Sequence, residues 1–201
     1  MLSKIIFITG PSCSGKTSLK EYILFNTKSI HNLPLHTTRP QREDEVDGED
    51  YFFDNEEDLK DYILSDMIFE KVGYSTAHGY WYYYTLKKDI RQYGTNLVCA
   101  SIDTLSRYYK EMLDLELDVK IIPIFLNTDL DTMMSRYLKR SDNKKDLEIE
   151  RRINDDYKKY NEEYKNFIDS VIPDDNIFLN VLGTDKDKLF DDILNRIKEL
   201  I

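Results

Sequence analysis

Gly10-Pro11-Ser12-Cys13-Ser14-Gly15-Lys16-Thr17 fits the pattern G-x-x-x-x-G-K-[ST] without a mismatch, and its flanks constrain the fold further. Ile5 to Ile8 is an unbroken apolar run, as expected of a strand buried on both faces. After the pattern, Leu19, Ile23 and Leu24 repeat at helical spacing, and the helix should reach about Asn26. Strand, glycine loop and helix together are the context in which such a loop holds phosphate. The two glycines let successive N–H groups turn inward toward phosphate oxygens, and the helix adds the positive end of its dipole. Lys16 can place an ammonium between the outer phosphates, and Thr17 offers a hydroxyl to Mg²⁺. Ser18 follows at the start of the helix.

The 201 residues suit one domain with a sizeable core. With 41% hydrophobic and 33% charged residues the composition is that of a globular chain rather than a disordered one. No apolar run approaches the ~20 residues needed to cross a bilayer. Met1-Leu2-Ser3-Lys4 runs straight into the first strand and leaves no room for a signal peptide, so a cytoplasmic location is expected. Two cysteines, Cys13 and Cys99, make no disulfide framework. The formal net charge is −10, unevenly spread: Gln41 to Asp61 holds 2 basic and 11 acidic residues, Arg136 to Arg152 holds 7 basic and 4 acidic. An acidic chain with one basic segment does not suit nucleic acid, and a local basic segment suits a small anionic ligand.

Along the chain, Ile30 to Leu35 reads as a short strand interrupted by Pro34, and His36 to Arg42 as a polar loop. Tyr51 to Phe53 reads as a strand and Glu56 to Leu64 as a short helix. Met67 to Val72 and Tyr80 to Thr85 read as two aromatic-rich strands. The alternation then resumes: strand Asn96 to Ser101, helix from Asp103, and strand Lys120 to Leu126 with Pro123 at an end or bulge. A helix from Asp129 to Lys139 follows, capped by Asn127, Thr128 or Asp129. Ile149, Ile153, Tyr157, Tyr160, Tyr164 and Phe167 form an amphipathic stripe, read as a packing face. Ile177 to Asn180 is a last strand, and Leu189, Ile193, Ile197 and Leu200 mark a closing helix. The expected fold is α/β, three-layered α/β/α with a parallel core sheet and a strand-rich insertion.

Thr37-Thr38-Arg39-Pro40-Gln41-Arg42, then Asp47-Gly48-Glu49-Asp50-Tyr51-Phe52-Phe53, then Ile68-Phe69-Glu70, resemble in order and spacing the monophosphate-binding region of guanylate kinases. Ile102-Asp103 resembles the end of that family's D-I-D. Arg136 to Arg140 with Ile149 to Ile153 resembles its arginine-bearing lid. The likeness runs from about Lys4 to Asn180. It implies a single P-loop NTPase-type domain, with core 1–34, 95–130 and 170–201, monophosphate-binding insertion 35–94 and helical lid at about 131–155.

The resemblance implies transfer of the ATP γ-phosphate to GMP or dGMP, with Mg²⁺. Gly10 to Ser18 would hold ATP, with Asn180 toward its adenine end. Thr17 would hold the metal. Arg39 and Arg42 would grip the acceptor phosphate, joined by hydroxyls of Tyr51 and Tyr82. Glu70 and Asp103 would read guanine, whose pairing edge offers N1–H and N2–H₂ donors that a carboxylate accepts. Lys16, Arg136, Arg140 and Arg152 would act on the transferring group. The expected partners are small nucleotides, not nucleic acid or a membrane.

Four departures from the family pattern bear on base choice. Leu35 stands where a serine donates to guanine O6. Tyr84 replaces a second serine and also carries a donor. The stretch between Glu70 and Gly79 is about four residues longer. Ser101 replaces the first aspartate of D-I-D. A same-fold kinase for a different monophosphate and a non-catalytic protein-binding module are the alternatives. The complete phosphate loop argues against the module. His31, His36 and His78 are read as structural or surface residues.

Overall fold

A computed structural model describes residues 3–76, 79–115, 119–140, 150–151, 153–160, 177–180 and 186–201. Its elements run β1 (Ser3–Thr9), α1 (Lys16–Asn26), β2 (Ile30–Asn32), β3 (Leu35–Thr37), β4 (Tyr51–Phe53), α2 (Glu56–Leu64), β5 (Ile68–Thr76), β6 (Gly79–Leu86), β7 (Thr95–Cys99), α3 (Ile102–Asp114), β8 (Val119–Asn127) and α4 (Leu130–Arg140). Helical residues 150–151 and 153–160, here α5, follow. Then come β9 (Ile177–Asn180) and α6 (Lys186–Leu200).

Five strands form a parallel sheet in the order β2-β7-β1-β8-β9. Every residue of Ile5 to Ile8 is wholly buried, because both faces of β1 are covered. Ile6 and Ile8 face α1 and α6 through Leu19, Ile23, Ile193 and Ile197. Ile5 and Phe7 face α3 through Leu105, Tyr108 and Met112. Each such side chain contributes about 1.5–3 kcal/mol, so the loop after β1 hangs from the most firmly held strand. β1 is also where successive connections part to opposite sides of the sheet, the place at which α/β sheets bind ligands. No described helix is long and apolar enough to cross a membrane.

The run Ile30 to Leu35, expected as one strand, is two. Ile30 pairs with Thr95 in the parallel sheet, whereas Leu35 pairs with Tyr51 in a second sheet. Pro34 lies at the crossing, where its missing N–H and fixed φ interrupt a ladder. His36 and Thr37, expected in a loop, belong to β3. Pro123 is mid-strand rather than at an end or a bulge: it pairs with Phe7, and among described residues β9 joins only from Ile124 onward.

The second sheet has the order β4-β3-β6-β5. Its pairings Glu70↔Thr85, Val72↔Tyr83, Thr37↔Tyr83 and Thr37↔Phe53 put Leu35, Thr37, Tyr51, Phe53, Glu70, Tyr74 and Tyr83 on one face. His36, Phe52, Tyr82 and Tyr84 take the other face. The first face turns toward α3, with the Phe69 and Tyr108 rings 5.1 Å apart. The second buries His36 between stacked Phe52 and Tyr84 rings. There His36 Nδ1 lies 2.6 Å from Asp54 and Nε2 3.0 Å from Asp89. Burial opposes charge on this imidazole, but the two carboxylates outweigh it and raise its pKa.

Candidate active site

The donor loop keeps its backbone groups inward because two glycines permit it. Gly15 caps α1 at φ +102, a conformation side chains disfavour. A Cβ on Gly10 would lie 2.6 Å from the Leu126 carbonyl and 2.8 Å from Ser14 Oγ. That Oγ is buried and has no hydrogen-bond partner among the described residues. Lys16 Nζ folds back to donate to the carbonyls of Gly10 and Pro11, each at 2.7 Å. Two later helices reach the loop. Arg136 of α4 donates from Nη1 to the Cys13 carbonyl at 3.0 Å and the Ser14 carbonyl at 3.1 Å. Asp156 of α5 accepts from Ser12 N at 3.1 Å and from the Ser12 hydroxyl. Thr17 is exposed in the first turn of α1.

The arginines expected to hold the acceptor phosphate lie beside the insertion sheet. Arg39 is only 5% exposed. Its Nη2 donates to both oxygens of Glu45, at 2.7 and 2.9 Å, and its Nη1 to the Pro40 carbonyl at 2.7 Å. Its guanidinium lies over the Tyr51 and Phe53 rings, 5.4 and 5.7 Å from their centroids. Exposed Arg42 donates its backbone N–H to Glu45 Oε2 at 2.9 Å. Burial works against Glu45 ionising, but the bonds from Arg39 and Arg42 prevail and lower its pKa. Burial likewise opposes the Arg39 charge, and Glu45 and Tyr83 more than offset it. A guanidinium that holds both oxygens of a carboxylate can hold the oxygens of a phosphate by the same charge-assisted bonds.

Two carboxylates stand where α3 meets the same sheet face. Glu70 is 2% exposed; its Oε1 accepts from the Thr85 hydroxyl at 3.0 Å, and Thr85 in turn meets the Tyr108 hydroxyl at 2.7 Å. Its Oε2 is buried without a partner among the described residues, and burial pushes its pKa up to about 8. Asp103, in the first turn of α3, accepts at Oδ2 from the Tyr74 hydroxyl at 2.9 Å and from Lys159 at 2.5 Å. Ser101 is the N-cap of this helix, accepting from Thr104 N at 3.3 Å, and its hydroxyl also meets that of Tyr74 at 2.7 Å.

The tyrosines sort differently from the sequence expectation. Tyr51 lies with Arg39, but Tyr82 and Tyr84 lie on the opposite face. The Tyr84 hydroxyl donates to Asp54 at 2.5 Å, and the Lys71 ammonium lies 4.7 Å from the Tyr82 ring centroid. The residue between them, Tyr83, meets Tyr51 and Tyr74 edge-on at 5.7 and 5.8 Å. Sequence reasoning missed Tyr83, Tyr74, Glu45, Asp156 and Lys159. Strand phase would have found Tyr83, but five consecutive aromatics offer no polar contrast by which to read it. Arg152 lies outside the described residues, as do the side chains of Arg140 and Asn180.

The sequence matches a family model described as "Guanylate kinase" over residues 2–181. A guanylate kinase of Mycoplasma mobile is 31% identical over 157 residues, 73% of this chain and 74% of that one. A guanylate kinase of Mesomycoplasma hyopneumoniae is 35% identical over 91 residues; the match spans 44% of that relative's length and 45% of this chain. The solved guanylate kinase from Anaplasma phagocytophilum superposes with a TM-score of 0.61 at 16% identity, covering 99% of this chain and 86% of that one. At that identity the likeness speaks to the fold.

Proposed function

Because this chain belongs to the guanylate kinase family, we propose that it transfers the ATP γ-phosphate to GMP or dGMP. The observation that carries this is Arg39 closed on a carboxylate, on a sheet face whose far end carries Glu70, with Asp103 of α3 bonded to Tyr74 of that face. The acceptor phosphate takes the place of Glu45 in the fork, with Arg42 joining from the loop. The hydroxyls of Tyr51 and Tyr83 stand on the fork's side of the sheet.

An acceptor phosphate is already an anion at neutral pH, so transfer needs alignment and charge neutralisation rather than a general base. Lys16 leaves the carbonyls of its own loop for the donor phosphates. Arg136, already on the loop backbone, and Arg140 and Arg152 from the lid at about 131–155 stabilise the transferring group. Arginines in this role contribute roughly 10³-fold or more. The buried Ser14 hydroxyl, without a partner among the described residues, and the exposed Thr17 hydroxyl give the loop oxygen donors of the kind that suit a phosphate-bound metal. Thr17 would hold Mg²⁺, which neutralises phosphate charge when bound. Asn180 would lie toward the adenine of ATP.

Glu70 and Asp103 supply acceptors for guanine's N1–H and N2–H₂, and adenine, with an acceptor at N1, leaves them unpaired. Such a site discriminates by roughly 10⁴-fold. Buried, apolar Leu35 favours the second reading, a different monophosphate. ADP release measured with each common (deoxy)nucleoside monophosphate tests both: preference for GMP supports the first, preference for another acceptor the second. No turnover by folded protein refutes both and leaves a binding module.

A further inference from the structure

The donor loop runs into α1, and one turn beyond Lys16 that helix carries a second lysine, Lys20. Its setting is apolar: Leu19 and Ile23 are wholly buried, and Lys20 itself is 9% exposed. Two ammonium groups one turn apart repel, and a buried one has lost its water as well. Neither helix formation nor core packing calls for a charge at this position, so its partners must account for it.

Those partners lie on the acceptor segment. Lys20 Nζ donates to the Glu49 carbonyl at 3.2 Å and lies 3.8 Å from Asp50 Oδ1. The same carbonyl accepts from Asn32 Nδ2 of β2 at 2.8 Å, and Asp50 Oδ2 accepts from Val46 N at 2.9 Å. The turn from Val46 to Asp50 is thereby closed on itself and tied to α1 and β2. Glu45 and Tyr51 flank this turn, and both meet Arg39: Glu45 through its carboxylate, Tyr51 with its ring centroid 5.4 Å from the guanidinium. Burial raises the pKa of Cys99 at the end of β7, with Lys16 and Lys20 acting against it and Asp50 adding to it. The donor-loop ammonium, Lys20 and the acid of the turn therefore all lie within charge range of one thiol.

We propose that Lys20 is a positioning residue for phosphoryl transfer: it holds the turn Val46 to Asp50, and through it Arg39, at a set distance from the donor loop on its own helix. The donor loop follows a strand of the parallel sheet and Arg39 follows a strand of the second sheet, so neither ladder by itself sets the gap between them. Transfer needs the two phosphates in near contact and aligned, and a buried tie across that gap supplies the constraint. The inference rests on the acceptor site proposed at Arg39 and not on the choice of base.

The test measures steady-state constants with the monophosphate that the wild-type chain uses best. Lys20→Met should raise KM for that acceptor and lower its kcat/KM by about 100-fold, the cost of misplacing bound reactants by about 1 Å, with KM for ATP within about twofold of the wild type. An enzyme that was merely destabilised would lose active molecules and so kcat, moving neither KM. Lys20→Arg, which keeps the charge, should retain most of the wild-type kcat/KM. Asp50→Asn, at a partly exposed position, should act in the same direction. Joined to Lys20→Met it should cost no more than the larger single change, since the two act through one contact. Asp50→Asn alone carries the test should Lys20→Met not fold. A rise in both KM values by one factor overturns the proposal, as does full additivity of the two substitutions. A wild-type chain that phosphorylates no monophosphate overturns the functional reading and this inference together, whereas a working kinase whose variants keep the wild-type acceptor constants overturns the role of Lys20 alone.

Discussion

Glu45 closes both oxygens on a single guanidinium nitrogen of buried Arg39, at 2.7 and 2.9 Å. The proposed acceptor fork thus folds around an internal anion. Removing one partner of such a pair strands the other, at a cost of about 3–5 kcal/mol. Glu45→Gln should therefore lower the denaturant midpoint of the unliganded protein. GMP, by restoring an anion to the fork, should recover more stability in the variant than it adds to the wild type. Thermal shifts with and without GMP measure this; equal shifts would place the acceptor phosphate elsewhere.

Tyr83 and Tyr82 are adjacent and chemically identical but lie on opposite faces of β6. Tyr83→Phe should raise KM for the acceptor about tenfold or more, the value of one hydrogen bond to a charged group. Tyr82→Phe should leave it within about twofold. Steady-state kinetics with GMP at saturating ATP distinguishes the two. The reverse order would favour the face chosen from sequence.

Lys16 donates to two carbonyls of its own loop. Lys16→Met should cut phosphoryl transfer by at least about 10³-fold, since the ammonium stabilises charge spread over the transferring group. Its melting transition should stay cooperative, because the core strand Ile5 to Ile8 does not depend on it. Circular dichroism beside an ADP-release assay tests both halves.

Glu70 gives a signed dependence on pH. Its pKa rises by burial from an ordinary 4.5 to about 8. The folded chain thus keeps a proton that the unfolded chain releases, and stability falls as pH rises between about 4.5 and about 8. Glu70→Gln should match the wild type near pH 4.5 and exceed it near pH 8, in urea denaturation at each pH. Guanine's donors need the ionised form, so kcat/KM for GMP should climb toward pH 8 in the wild type. A flat wild-type profile would remove Glu70 from base reading.

The sequence by itself determined the glycine loop after β1 and the parallel α/β frame. These are local: a glycine pattern, an unbroken apolar run and helical periodicity act within a few residues of chain. Tertiary structure alone decided which aromatics share a face with Arg39, because the strand Tyr80 to Thr85 is aromatic on both sides and its phase follows from pairing with β3 and β5. It alone carried the chain at Pro34 from one sheet to the other. It alone brought Glu45 onto Arg39, Asp156 onto Ser12 and Lys159 onto Asp103. Lys159 and Asp103 are separated by 56 residues and meet only because α5 packs across the ends of the parallel strands. A pair made by packing leaves no periodic trace in either segment, so its chemistry is legible only once the chain has folded.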